Sequence, residues 1–420
     1  MSFLQRTAGE LWLDGVALEE IARRFGTPCY VYSRAAIEAA YREFDEGLAG
    51  VDHLVCYAVK ANSNLAILDT LQQMGAGFDI VSGGELARVL AAGGRADRVI
   101  FSGVGKSEHE MRAALAAGIR CFNVESEPEL ERLDALAGAA GTRAPVSLRI
   151  NPDVDARTHP YISTGMAGNK FGIPHTRALA AYRHAASLPH LRVIGVGCHI
   201  GSQILEAGPL DEALERVLEL AEALAALGVK PAHLDLGGGF GIRYRDEVTL
   251  DIGRYCRALA AKLAGRGFQV MLEPGRAIAG PAGVLLTRVE YLKLDKAKRF
   301  AVVDASMSEL IRPALYEAYH EIVAVKEPGP GAAQGFDVVG PVCESADVLG
   351  TDRSLAIEAG SLLAILSAGA YGMAMASNYN SRVRPAEVLV DRGRALEVRA
   401  RETIESLFAL EKRLADAAPR

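Results

Sequence analysis

His53-Leu-Val-Cys-Tyr-Ala-Val59 is a short apolar run that closes on Lys60-Ala-Asn62 and gives way to a stretch with helical spacing. Such a run, too short for a helix and bounded by polar residues, is the mark of a buried strand. The unit recurs. Seven more runs follow before about residue 275: Phe78 to Val81, Arg98 to Ser102, Cys121 to Val124, Val146 to Ile150, Val193 to Ile200, His233 to Leu236 and Gln269 to Leu272. Ala/Leu/Glu/Arg-rich stretches separate them, among them Gly84 to Ala92, Glu108 to Ala117, Glu127 to Ala140 and Leu210 to Leu227, with Ser126 placed to cap a helix and Gly228 to stop one. Eight βα units in succession predict an α/β chain built on a closed (β/α)8 TIM barrel. A doubly wound sheet would need a reversal of strand order and usually has fewer strands.

Outside this stretch the texture changes. After about Gly280 come the strand-like runs Val284 to Lys293, Phe300 to Ala305, Phe336 to Gly340, Leu362 to Leu366 and Glu387 to Val390, which predict a mostly β domain. Pro28-Cys-Tyr-Val-Tyr32 also reads as a strand, set apart from the first barrel unit by a helical stretch from Ser33 to Leu48. The expected division is an N-terminal segment, 1–32, that joins the β domain, a barrel over 33–279, and a C-terminal β domain over 280–420. The Pro/Gly-rich stretch from Glu327 to Gly335 is expected to be an exposed connection.

Composition bounds the function. A chain of 420 residues exceeds one ordinary core, and with half its residues apolar and both charge signs mixed it reads as globular. The net charge of −6 and the lack of a long Lys/Arg run argue against a nucleic-acid partner. The start carries no charged region followed by a long apolar one, and no window of about 18 apolar residues follows, so a soluble cytoplasmic protein with no membrane partner is expected. Cys29, Cys56, Cys121, Cys198, Cys256 and Cys343 are scattered without the close pairs of a zinc site or the density of a disulfide scaffold, so no metal is expected. Their ordinary reading is as small core residues.

In a TIM barrel the active site lies at the C-terminal strand ends, and polar residues gather there in this sequence. Lys60 closes the first run; Asp79, Ser82 and Glu85 stand at the second, Arg149 at the fifth, and His199 with Ser202 at the sixth. Gly237-Gly238-Gly239 follow the seventh run and Glu273-Pro-Gly275-Arg276 the eighth. A lysine in a barrel mouth is partly desolvated, which favours the neutral amine and suits Schiff-base chemistry. By itself, though, it reads more ordinarily as a lysine snorkelling to solvent. The glycines bring backbone N–H groups close to an anion, and loops seven and eight are the usual barrel phosphate site; glycines equally serve tight turns. His199 could stack on a ring, titrate or sit hydrogen-bonded in a core. Glu273, after the buried Met271-Leu272, needs a partner such as a protonated ring nitrogen or an arginine.

Several separated motifs in fixed order carry a resemblance that covers nearly the whole chain. They are Tyr57-Ala-Val-Lys60-Ala-Asn62, Phe78-Asp-Ile-Val-Ser82-Gly-Gly-Glu85, His199-Ile-Gly-Ser202-Gln203, Gly237-Gly-Gly-Phe240 and Glu273-Pro-Gly-Arg276. Cys343-Glu-Ser-Ala-Asp347, Gly369-Ala-Tyr371 and Ser377-Asn-Tyr-Asn-Ser-Arg382 continue the series. The sequence resembles the fold-type III pyridoxal-phosphate (PLP) decarboxylases, the family that acts on diaminopimelate, ornithine and arginine, related more distantly to alanine racemase. The resemblance implies that family's architecture, a PLP-binding barrel with a mostly β C-terminal domain.

It also implies roles. Lys60 would carry PLP, His199 would stack on the ring, and Glu273 would pair with the pyridinium nitrogen. Asp79, Arg149, Gly238 and Gly275 fall among the cofactor-binding positions. Ser202, Gly239, the backbone of Arg276, Ala277, Ile278 and Ala279, and the Tyr371 hydroxyl would hold the phosphate. Cys343 matches the proton donor. Arg276, Arg312 and Tyr316 match positions that bind substrate carboxylates, Glu344 the one that faces a distal amino group, and Tyr371 also lines the substrate. The active site would be shared across a homodimer, with Cys343, Glu344 and Tyr371 supplied by the other chain.

Within the family, His159-Pro-Tyr-Ile162-Ser-Thr164-Gly165 with Asn169-Lys-Phe-Gly172, the pair Cys343-Glu344, and Asn378-Tyr-Asn-Ser-Arg382 resemble the branch that decarboxylates meso-2,6-diaminopimelate to L-lysine and CO2, the last step of lysine biosynthesis. Two arginines suit a dicarboxylic substrate, whereas ornithine would leave them unpaired. Met166-Ala-Gly168 departs from the more polar stretch of many members. The alternatives are a polyamine-pathway decarboxylase acting on ornithine, arginine or carboxynorspermidine, and a non-catalytic PLP-binding protein.

Overall fold

The eight runs form eight parallel strands: His53–Ala58, Gly77–Ile80, Val99–Phe101, Cys121–Val124, Ala144–Asn151, Leu191–Cys198, His233–Asp235 and Gln269–Leu272. Each is bonded to the next, and the eighth returns to the first with Val270 opposite His53, so the sheet closes on itself. The computed structural model describes residues 3–155, 170–295, 298–327 and 333–417. The motif residues His159 to Gly165, Met166 to Gly168 and Asn169, and most of the Pro/Gly-rich stretch after Glu327, lie outside these. By its internal contacts the chain divides into two units, Ala36–Ala279 and Met1–Ala35 with Gly280–Arg420.

The period of two along each strand decides what fills the barrel. Leu54, Cys56, Ile100, Cys121 and Met271, from four different strands, pack into one buried apolar cluster. Two residues further along the same strands stand Ser102, Asn123 and Glu273, so the interior turns polar toward the C-terminal mouth.

Side-chain oxygens cap several of the intervening helices. Asn64, Ser82, Ser126 and Asp251 each accept a backbone N–H of the first turn, and Ser107 with Glu110 forms a capping box. The helix after the eighth strand has only four residues, Arg276–Ala279. The helix Arg34–Gly47, ahead of the first strand, packs instead beside Ile252–Leu263. Gly47 lies so close that a Cβ on it would come within 2.5 Å of Cys256 Cβ, and Gly253 N–H donates to Glu43 Oε1 at 3.3 Å.

In the other unit, Cys29–Ser33 is a fully buried strand lying between Gly283–Leu294, to which it is antiparallel, and Ala386–Asp391, to which it is parallel. Its core joins Leu18 and Ile21 of the helix Leu18–Phe25 to Val31, Leu286, Ala364 and Val388. The sheet also holds Arg299–Val303, Gln334–Val339 and Leu362–Ile365, together with Val348–Leu355 and Arg394–Arg399, which close its ends. Those last two, and the small sheet of Leu4–Thr7, Glu10–Leu13 and Val16–Ala17, lie outside the runs picked from the sequence. They are short or edge strands whose polar residues face outward, so the apolar signal is diluted. Among the described residues no helix is long and apolar enough to cross a membrane. Five cysteines are buried and Cys343 is exposed; burial pushes the thiols of Cys29, Cys198 and Cys256 up to about 12.

Candidate active site

At the barrel mouth Lys60 Nζ donates to Asp79 Oδ2 at 2.7 Å. Asp79 is fully buried within the second strand, and among the described residues its Oδ1 has no hydrogen-bond partner. Lys60, with Ser102, Asn123, Arg149, His199, Asp235 and Glu273, lines a cavity of about 200 Å³ that Val81 and Phe171 also bound, and Asp79 stands behind the lysine. His199 Nδ1 accepts the Gly238 N–H at 3.1 Å, which puts the ring proton on Nε2. Burial first, then the Arg149 and Lys60 charges, hold the imidazole well below its usual range, so it is neutral at neutral pH. Burial, followed by the Asp235 and Asp79 charges, pushes the Glu273 carboxyl well above the usual carboxylate range, and burial pushes Asp235 up to about 6.

A second set of buried ions holds the wall of this cavity. Glu125 Oε1 accepts Gly103 N–H at 2.8 Å and Arg149 Nη1 at 3.1 Å, while its Oε2 accepts Gly172 N–H at 3.0 Å. One carboxylate therefore ties the loops after the third and fifth strands to an arginine whose guanidinium lies 4.9 Å over the Phe171 ring. Behind it Lys106, with a completely buried side chain, donates to Gly103 O at 2.8 Å, Asn123 O at 2.7 Å and Glu129 Oε1 at 2.7 Å. Glu129 Oε2 in turn accepts Glu125 N–H at 2.9 Å.

On the opposite rim the three glycines leave no room for side chains. A Cβ on Gly238 would stand 2.0 Å from Glu273 O, and Gly239 has φ +92° with Gly201 O where its Cβ would go. Arg276 is buried, donating to Tyr244 Oη at 2.8 Å and to Ser202 Oγ at 2.9 Å. The Ile278 and Ala279 amides donate to Gly275 O, closing the short helix that follows the eighth strand.

The remaining candidates lie in the β unit. Cys343 is on an exposed loop anchored by Asp347, which accepts Val342 N–H at 2.7 Å and Met307 N–H at 2.6 Å. Cys343 N–H donates to Asn380 Oδ1 at 3.1 Å, and Tyr379 Oη donates to Glu344 Oε1 at 2.5 Å. The Cys-Glu motif and the Asn-Tyr-Asn-Ser-Arg motif thus meet side by side. Arg312 is buried and donates through Nη1 to His320 Nε2 at 2.7 Å, the ring's Nδ1 being turned to Leu366 O. Tyr316 is half-buried at the end of the helix Arg312–Tyr316, and Tyr371 has φ +56° beside Gly372.

The family model for the pyridoxal-binding domain of pyridoxal-dependent decarboxylases matches residues 34–280. The chain belongs to the pyridoxal-dependent decarboxylase family. Its similarity runs to one branch of that family: it is 59% identical over 405 residues to the diaminopimelate decarboxylase of Pseudomonas aeruginosa, covering 96% of this chain and 97% of the relative. The Vibrio cholerae diaminopimelate decarboxylase is 55% identical over 96% and 97% of the two chains. Among solved structures, the Helicobacter pylori diaminopimelate decarboxylase complexed with L-lysine superposes with a TM-score of 0.90 at 42% identity, covering 94% of this chain and 99% of that one.

For a member of this decarboxylase family the barrel brings together Lys60, Arg149, His199 and Glu273 on one cavity, with Asp79 bonded to the lysine, Gly238 bonded to His199, and Ser202 bonded to Arg276. Asn123, Glu125, Asp235 and Lys106 belong to the same assembly without having stood out in the sequence, and Phe171 of the Asn169-Lys-Phe-Gly172 motif joins them. Asn123 had a signal, since it sits two residues after the inward Cys121 in the same strand.

Proposed function

We propose that this protein decarboxylates meso-2,6-diaminopimelate to L-lysine and CO2, using pyridoxal 5'-phosphate held on Lys60. The observation that carries the reading is the Lys60–Asp79 pair set beside Glu273 in the mouth of a closed barrel, in a chain of this family. The relative solved with L-lysine supports an amino-acid ligand of that kind.

The barrel residues suit the cofactor. A planar, phosphorylated aldehyde needs an amine, an acid for its ring nitrogen, a flat neutral face and a cradle of backbone for its phosphate. Lys60, Glu273, His199 and the Gly238-Gly239 loop with Ser202 offer these in turn, and the unpartnered Asp79 Oδ1 marks a buried acceptor still open to a donor. When bound, the cofactor supplies a conjugated ring that accepts the electrons of the broken bond between Cα and the carboxylate.

The chain's own work is to place and to protonate. Asp79 fixes Lys60 Nζ at 2.7 Å, so the amine is aimed before any ligand arrives. Neutral His199, with its proton on Nε2, presents its ring face without adding a charge. Arg276 and Arg312 are the cations for the two carboxylates of a dicarboxylic substrate, and Glu344 is the acid for its distal amine. Cys343 Sγ delivers a proton to Cα after CO2 has left. We assign Cys343, Glu344 and Tyr371 to this chemistry through a homodimer in which the partner chain supplies them, and we place the enzyme in the cytoplasm.

The test is a steady-state assay on meso-diaminopimelate that follows lysine and CO2. Equimolar release is expected, with none from Lys60→Ala; faster CO2 release from ornithine than from meso-diaminopimelate would overturn the substrate assignment.

A further inference from the structure

Asp235 ends the seventh barrel strand at 1% exposure, and the roles assigned above make no use of it. Its Oδ1 accepts Gly237 N–H at 3.0 Å and its Oδ2 accepts Asn123 Nδ2 at 3.0 Å. The same Asn123 nitrogen stands 3.4 Å from Glu273 Oε1, so one amide bridges the two carboxyls, and both line the same cavity. Among the described residues no lysine or arginine forms an ion pair with either acid. The nearest basic nitrogen to Glu273, His199 Nδ1 at 3.9 Å, already accepts Gly238 N–H and so brings no proton.

Two buried carboxyls bridged by one amide nitrogen, with no cation paired to either, do not both ionise. The pair holds one proton. The donors decide where it sits: Asp235 takes two N–H groups at 3.0 Å, whereas Glu273 takes one at the longer distance. Negative charge is therefore favoured on Asp235 and the proton on Glu273.

We propose that Asp235 is a positioning residue for the cofactor's ring nitrogen, acting through Glu273: the two carboxyls share one proton, which Glu273 presents to the nitrogen while Asp235 stays ionised behind it. The inference rests on the reading above that Glu273 faces that nitrogen. The transfer balances within the site. Beforehand Asp235 is anionic, Glu273 is neutral and the nitrogen holds a lone pair. Afterwards the Glu273 O–H bond has broken, an N–H bond has formed, and two carboxylates face one cation. Net charge is −1 throughout, and no proton comes from solvent. Asp235 thereby adds the second anion that keeps the ring nitrogen protonated.

Other ionisable groups also face the pair. Asp79, from the second strand, works in the same direction as Asp235 on Glu273, and Lys60 works against them. Asp79 and the Lys60–Asp79 contact are left in place by changes at Asp235, so a shift on altering Asp235 belongs to Asp235.

The test uses the full-length, cofactor-free protein and follows its carboxyl groups by infrared difference spectroscopy across pH. A carboxyl band that Glu273→Gln removes is expected to remain protonated at neutral pH in the wild type, with its midpoint falling by about one unit or more in Asp235→Asn. An unchanged midpoint in that variant overturns the sharing. If Asp235→Asn fails to fold, Asn123→Ala serves in its place. It withdraws a donor from both acids, and a shared proton then titrates about half a unit or more higher, whereas no movement again overturns the proposal. On the holoenzyme, nuclear magnetic resonance of ¹⁵N-labelled cofactor reads the ring nitrogen, which should lose its proton at lower pH in Asp235→Asn than in wild type. Glu273→Gln separates the two ideas. If that variant leaves the nitrogen's titration as in wild type, Glu273 does not face the ring, whatever the carboxyl titration gives.

Discussion

Replacing Lys106 with methionine should cost the barrel more than any surface change, because the lysine's three N–H bonds end on Gly103 O, Asn123 O and Glu129 Oε1 in a place no water reaches. Methionine fills much of the volume but leaves the Glu129 carboxylate, among the described residues, with the backbone N–H of Glu125 as its donor. Breaking a buried pair from one side costs about 3–5 kcal/mol. The cost is bounded by protonation of the orphaned acid. Burial already raises the Glu129 carboxyl and Lys106 opposes it, so without the lysine the folded state binds a proton more readily still. The unfolded chain releases that proton near the ordinary value of about 4.3. The deficit is therefore smallest at pH 5 and widens as pH rises through the variant's raised folded-state pKa.

Urea denaturation from pH 5 to 8 checks this. Far-ultraviolet circular dichroism is the right probe, since the single tryptophan, Trp12, lies in the β unit rather than in the barrel. Adding Glu129→Gln to Lys106→Met should recover part of the loss at pH 8 and little at pH 5. A deficit under about 1 kcal/mol at pH 8, or one that does not change with pH, would refute the argument that this pair is an uncompensated buried charge.

Burial pushes the Glu85 carboxyl up to about 7 in the folded protein from 4.5, so folding binds an extra proton in that window and stability falls as pH rises from 4.5 to 7; Glu85→Gln should flatten that fall in melting temperature. Cys343→Ala should keep the cofactor's absorbance yet lose about 10²-fold or more in turnover, and near-normal turnover would remove Cys343 as proton donor. Gly238→Ala places a methyl 2.0 Å from Glu273 O, a backbone atom that cannot yield, so equilibrium dialysis should find cofactor retention weakened by at least about tenfold.

The barrel was legible because its strands are buried on both faces, which makes them unbroken apolar runs, and because helix caps such as Ser126 punctuate the spaces between. Strand ends drifted by a residue or two: the third strand is Val99–Phe101 where the run reads Arg98 to Ser102, because Arg98 and Ser102 flank the ladder rather than join it. Lys60, His199 and Glu273 stood out as polar residues closing apolar runs. Asn123 and Asp235 did not, since both sit inside runs where the eye counts apolar neighbours. Glu125 and Lys106 were hidden for another reason. Each looks like an ordinary loop charge, and only the closure of strands three to five shows that they point inward, Glu125 at the Gly103 N–H and Lys106 at Asn123 O. The link from Arg312 to His320 likewise depends on a turn that no periodicity announces.

The strand Cys29–Ser33 has a consequence for how the molecule is made. It leaves the ribosome ahead of the barrel, yet both strands that flank it are encoded beyond the whole barrel, the nearer starting at Gly283, about 250 residues later. At ordinary translation speeds of 5–20 residues per second, roughly 12–50 s pass before either neighbour emerges. During that interval a five-residue ribbon of Cys-Tyr-Val-Tyr-Ser waits with both edges unsatisfied, while the barrel, being contiguous, has its complete sequence and can close. The nascent chain thus carries an adhesive strip throughout the synthesis of the barrel, and a message truncated after the barrel would leave that strip with nothing to pair with.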